Sequence, residues 1–171
     1  QYFAALQLPL PTTLSAQLFS DQHALAPATT LQLTRASLLT RSDEEVAMCT
    51  GQLMLRLEDD GPRIGPRAVF NVDIFNPCWS WRQATLAGIN TIEVRAGRIP
   101  YFFQLAGDES HRTFKPAKNK YGELELHAGC DGPLLASVPL PAQPDADGFV
   151  SLHAPLHNPP ARTDICVWFT G

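Results

Sequence analysis

From Gln52 onward the chain is written in short runs whose apolar residues recur at every second position, each run cut off by proline or glycine. Leu53, Leu55 and Leu57 alternate with Met54, Arg56 and Glu58, and Ala68, Phe70, Val72 and Ile74 share one face of the next run. Ile89–Val94, Arg98–Leu105, Glu123–His127, Leu134–Leu140, Phe149–Leu156 and Asp164–Phe169 continue the series. Period two is the period of a strand with one face buried. No stretch has the longer apolar periodicity of an amphipathic helix. The count is about eight short strands at intervals of roughly 8 to 15 residues, which predicts an all-β, two-sheet β-sandwich. Fifteen prolines and eleven glycines supply the turns that such a fold needs.

Residues 1–41 read differently. Leu, Ala, Thr and Gln dominate, Pro9, Pro11 and Pro27 interrupt, and Asp21, Arg35 and Arg41 are the charged side chains. The segment is too apolar for a flexible linker and too irregular for a helix. It is expected to be an irregular extension or interdomain strap, with residues 42–171 as the sandwich. Ser42-Asp43-Glu44-Glu45 has the form of a capping box and predicts a short helical turn. The last run stops at Gly171 directly after apolar residues, where a sandwich would pair one more strand. Either a final strand is missing, or the extension fills its place. The chain opens on Gln1 with no basic start, and so reads as a fragment or a processed product.

Four cysteines stand at 49, 78, 130 and 166. None has the C-x2-C spacing of a zinc site, and the even count suits two disulfides in an oxidising compartment. Three pairings are open. The local one, Cys49 with Cys78 and Cys130 with Cys166, is preferred because each bridge closes a loop of roughly 30 to 40 residues and stabilises by ~3.5 kcal/mol through loop-closure entropy. The competing reading is four buried free thiols.

The stretch Ala68–Trp81, AVFNVDIFNPCWSW, carries the functional expectation. A strand runs into Asn76-Pro77, which stops it, and delivers Trp79 and Trp81 to a loop beside Cys78. Two rings at a strand end can stack on the flat apolar face of a sugar. Tyr101 and Tyr121 can stack and hydrogen-bond hydroxyls, and Asn76 and Asp73 can add directional contacts. These six are the candidate carbohydrate-binding residues. The competing reading places both indoles in the core.

Other chemistries find less support. The net charge of −4, with no basic block, argues against nucleic acid. No apolar run reaches the ~18 residues needed to span a bilayer. Glu58, Asp59 and Asp60 offer the hard oxygens that a structural Ca2+ takes, but precede Gly61-Pro62 as a solvated turn would. No G-x-S-x-G elbow is present, His153 and His157 do not sit on a helix, and no carboxylate pair is evident as a glycosidase constellation.

The runs Gly122–His127 (GELELH), Asp131–Leu140 (DGPLLASVPL) and Thr163–Thr170 (TDICVWFT) look like family 6 carbohydrate-binding modules. Those modules are jelly-roll sandwiches of galactose-binding-like type. Cys49-Thr50, Leu57–Asp60, Val72–Trp79 and Ile99–Gln104 extend the resemblance. Together they are similar to the C-terminal, non-catalytic region of bacterial family 20 β-N-acetylhexosaminidases. His127 stands where the module pattern has arginine, and Cys166 where it has tyrosine. The resemblance implies a non-catalytic accessory domain of an exported glycoside hydrolase, periplasmic or secreted. Its implied ligand is a GlcNAc-containing, chitin-like glycan, and its implied neighbour is the catalytic domain of the parent chain. The alternative is a structural domain that docks on that catalytic barrel through residues 1–41 and Trp168 without touching sugar.

Overall fold

The computed structural model describes residues 9–50, 55–58, 64, 69–72, 75–97, 114–145 and 148–171. The chain divides into two compact units, Gln1–Arg41 and Ser42–Gly171. Strand dominates both.

Over its described residues the first unit is built on a long β-hairpin, where an irregular extension was expected. Strand β1 (Thr12–Ala16) pairs antiparallel with β4 (Thr29–Leu33), and β2 (Phe19–Ser20) pairs with β3 (His23–Ala24) nearer the tip. The two-residue turn Asp21-Gln22 joins β2 to β3, with φ of 48° and 71°. Positive φ at both central residues defines the type I′ turn, whose twist matches that of paired strands. Pro27 lacks an N–H, so pairing lapses around it and resumes at Thr29. The local breaks at proline made the segment read as irregular, yet the like-patterned Thr-Thr-Leu runs of β1 and β4 were there to pair. A one-turn helix α1 (Arg35–Leu38) comes next, capped by Thr34, whose Oγ1 accepts from the Ser37 N–H at 3.0 Å.

The second unit opens with a 3-10 turn at Asp43–Glu45, where Glu45 closes the capping box by accepting from the Ser42 N–H at 2.8 Å. Its strands are β5 (Ala47–Met48), β6 (Leu55–Glu58), β7 (Val69–Val72), β8 (Cys78–Thr85), β9 (Thr91–Gly97), β10 (Glu123–Ala128), β11 (Leu134–Pro139), β12 (Phe149–Pro155) and β13 (Arg162–Phe169). A five-stranded antiparallel sheet has the order β11-β10-β13-β8-β5. β9 pairs with β12, and β6 with β7. The expected strand Arg98–Leu105 lies outside the described residues.

β7 stops before Asn76-Pro77 as expected, but the chain then enters a strand rather than a loop. Trp79 and Trp81 lie inside β8, paired with Val167 and Ile165 of β13. Pro77 withholds a donor but still accepts: its carbonyl takes the Phe169 N–H at 3.1 Å, and pairing starts at once. Between Trp81 and Ala84 the register slips against Thr163 and Ile165. Gln83 takes φ 54° there, and the Asp164 carboxylate accepts its N–H at 2.7 Å. This bulge inserts one extra residue, so Ala84 and Leu86 stay on the same face as Trp79 and Trp81.

One core lies between the five-stranded sheet and the β9–β12 pair. Ala84, Leu86, Leu124, Leu126, Leu135, Ala136 and Ile165 come from the first, and Leu152 and Ala154 from the second. Ile92, Val94 and Val150 pack against them. Alternation along β10 then puts Glu123, Glu125 and His127 on the opposite face of the sheet.

Candidate functional site

Of the six sequence-predicted ligand residues, Asn76, Trp79, Trp81 and Tyr121 lie among the described residues, and of these only Tyr121 is exposed. Trp81 is half-buried and packs against the core cluster. Trp79, also half-buried, meets Phe169 edge to face with centroids 5.8 Å apart. Asn76 is buried, and its Oδ1 has no hydrogen-bond partner among the described residues. Tyr121 is exposed, with the Lys120 ammonium 5.1 Å from its ring centroid. Asp73 and Tyr101 lie outside the described residues, as do Asp59 and Asp60 of the acidic turn. The indoles thus place much of their area inside the fold, where a large ring gains most from burial.

Sequence reading missed the outer face of the five-stranded sheet. Two carboxylates, Glu123 and Glu125, are buried there under the loop 114–121. Glu123 accepts from the Thr170 hydroxyl, from Asn119 Nδ2 at 2.6 Å and from the backbone N–H of Lys118 at 2.8 Å. Glu125 accepts from Lys118 Nζ at 3.0 Å, lies 3.1 Å from His127 Nε2, and has Lys115 Nζ at 3.7 Å. Lys115 also stands 4.2 Å over the ring of Trp168, a cation–π contact. His127 sits between two acceptors, with Nδ1 3.1 Å from the Gly132 carbonyl and Nε2 facing the Glu125 carboxylate. The signal in the sequence was the Glu-Leu-Glu-Leu-His alternation itself, whose polar half looked like a solvated face. The loop ends at Gly122, where φ is +84° and a Cβ would lie 2.2 Å from the Thr170 carbonyl oxygen, so only glycine fits.

The electrostatics of this pair follow from its donors. The Thr170 hydroxyl, against the opposing effect of burial and helped by Asn119 and Lys118, holds Glu123 below the ordinary carboxylate range. Burial alone would raise Glu125, but hydrogen bonds from Lys118 and His127 and the charges of Lys118 and Lys115 bring it below that range. The Lys118 ammonium is raised in turn by its hydrogen bond to Glu125 and by that residue's charge. A glycosidase acid must hold a proton near neutral pH, so its pKa is raised. Both carboxyls here are shifted the other way and saturated by internal donors. They act as staples that pin the 114–121 loop to the sheet.

A pH dependence results. Both folded-state values lie below the unfolded ones, so the stabilisation is fully present above the unfolded glutamate pKa of about 4.3 and is lost as pH falls through the folded values. Tryptophan fluorescence, reporting on Trp168 beneath Lys115, should stay flat from pH 7 to about 5 and change below about 4. A transition centred near neutrality would contradict this assignment.

The hairpin presents a different kind of surface. Leu14 pairs with Leu31, Thr12 with Leu33 and Ala16 with Thr29, so these six share one face. Thr13, Ser15, Thr30 and Gln32 form the other. Leu31 is 57% exposed, and Leu18, Phe19 and Leu25 add exposed apolar area toward the tip. Between Pro9 and Thr40 only Asp21 and Arg35 carry a permanent charge at neutral pH. The face is apolar and carries little charge.

Comparison with protein-family models, with curated proteins and with solved structures gave no match. Among the described residues, no helix is long and apolar enough to cross a membrane. The two disulfides, Cys49–Cys78 and Cys130–Cys166, fit an oxidising compartment.

Proposed function

We propose that this chain is a non-catalytic docking domain: a disulfide-braced two-sheet β-sandwich whose hairpin arm mates, apolar face to apolar face, with a second copy. Exposed Leu31, beside half-buried Leu14 and Leu33 on the same face of β1 and β4, carries the reading. A lone two-stranded hairpin is marginal in water and gains stability when its apolar face is covered. Two copies related by a two-fold axis bring leucine against leucine and require no complementary charge, of which the arm has almost none. The accessory role that the resemblance to hexosaminidase C-terminal regions implies is kept; the contact surface moves from aromatic rings to the hairpin.

Glycan binding, the competing reading, needs free ring faces. Trp79 and Trp81 are engaged with Phe169 and with the core, which leaves Tyr121 as the exposed ring among the described candidates.

Sedimentation velocity over a concentration series separates the two. The intact chain is expected to self-associate, and Leu31→Glu to remain a folded monomer, because a carboxylate at the centre of the face would be buried unpaired. Strictly monomeric behaviour of the intact chain overturns the proposal. A saturable fluorescence change with chitin oligosaccharides, lost in Tyr121→Ala, would favour the glycan reading instead.

A further inference from the structure

We propose that the four cysteines form one redox-gated thiolate site, which is two disulfides when oxidised and, once reduced, a tetrahedral cage for a zinc-like divalent cation. All four Sγ atoms lie within 4.8 Å of one another. Zinc takes four thiolates at about 2.3 Å in a tetrahedron, which sets the sulfurs about 3.8 Å apart. No ligand has to be brought in from elsewhere.

The fold assembles this cluster from four separate segments. Cys78 opens β8 and Cys166 lies on the neighbouring strand β13, 0% and 1% exposed. Cys49 comes directly after β5 and is tied to Cys78 by its N–H, which donates to the Cys78 carbonyl at 3.1 Å. Cys130 rides the turn after β10, closed by the Gly132 N–H donating to the Gly129 carbonyl at 3.1 Å. That turn is tight: a Cβ on Gly132 would lie 1.7 Å from the Ala128 carbonyl oxygen. Two ligands therefore stand on paired strands, and two half-buried ones on turns beside them, where side-chain rotation can open each bonded pair into a cage. The absence of C-x2-C spacing hides the site in the sequence, because both turns and both strands meet only through the sheet order.

The chemistry balances simply. Two equivalents of a phosphine or dithiol supply four electrons, becoming two phosphine oxides (with oxygen from water) or two disulfides, and with four protons taken up the two protein disulfides become four thiols. One Zn2+ then displaces those four protons and leaves a cage of net charge −2. The neighbouring groups on that sheet face are His127 and Lys115, with Lys115 also 3.7 Å from the Glu125 carboxylate. His127 pairs with Cys166 across β10 and β13, and Lys115 Nζ lies 3.4 Å from His127 Nε2.

The test uses the intact chain, reduced with a phosphine without oxygen and titrated with Co2+ as a spectroscopic stand-in for zinc. About one equivalent is expected to bind, with thiolate-to-cobalt charge-transfer absorption and the intense visible bands of tetrahedral cobalt, all bleached by Zn2+. Cys49→Ser and Cys130→Ser should each weaken zinc binding by ~10-fold or more, and His157→Ala should leave it unchanged. Should reduction unfold the chain, zinc is expected to restore its near-ultraviolet circular dichroism. A reduced chain that takes up no cobalt, folded or not, overturns the proposal. So does bound cobalt without the charge-transfer band, or an affinity indifferent to the cysteine variants.

Discussion

Exchanging Cys130 and Cys166 together for alanine is expected to lower the unfolding free energy by about 4 kcal/mol, and exchanging Cys49 and Cys78 by slightly less. The bridges span sequence separations of 36 and 29 residues, and the cross-link acts chiefly by denying the unfolded chain that freedom. Cys130–Cys166 ties the turn after β10 to the central strand β13, while Cys49–Cys78 ties the edge strand β5 to β8. Against a total stability of about 5–15 kcal/mol, either loss is large. Urea unfolding of the oxidised parent and of each double variant measures it, with the slope m rising as the uncross-linked chain exposes more surface. The quadruple variant should depart from the sum of the two, because sulfurs within 4.8 Å of one another share their surroundings. A loss under about 1 kcal/mol for either bridge would mean that the unfolded chain retains structure around it.

The all-β character and the strands around Phe70, Leu126, Leu152 and Val167 were legible because alternation at period two is a local property of the sequence. The placement of Trp79 and Trp81 was not. Asn76-Pro77 reads as the end of a strand, and nothing local says that the chain restarts pairing with Cys78 against Trp168. The bulge at Gln83 was equally hidden, since it depends on the Asp164 carboxylate reaching across from β13. The hairpin of residues 12–33 was obscured by Pro27, although the matching Thr-Thr-Leu runs at either end were in plain view. Alternation put Glu123 and Glu125 on the face away from Leu124 and Leu126, but said nothing of what would cover that face. The sheet order places β10 between β11 and β13, and the 114–121 loop then covers the two carboxylates.

Inside and outside leucines in this chain should respond oppositely to the same substitution. Leu126→Ala is expected to cost about 3–4 kcal/mol. Its side chain is 0% exposed, in a strand paired on both sides and facing Val167 and Ala136. The loss combines the transfer free energy of the deleted carbons with a cavity that two flanking strands cannot close. Leu31→Ala removes the same atoms from a side chain that is 57% exposed in one copy. It is expected to change the stability of dilute, monomeric protein by less than about 0.5 kcal/mol. At concentrations where copies associate, the ranking narrows: Leu31→Ala then gives up apolar area buried between arms, at roughly 25 cal/mol per Å2, and the denaturation midpoint becomes concentration-dependent in the parent alone. Measuring both variants by urea unfolding at low and high protein concentration therefore reads the core and the arm in one experiment. If Leu31→Ala is as costly as Leu126→Ala in dilute solution, the hairpin face is covered within a single chain, and the docking assignment fails with it.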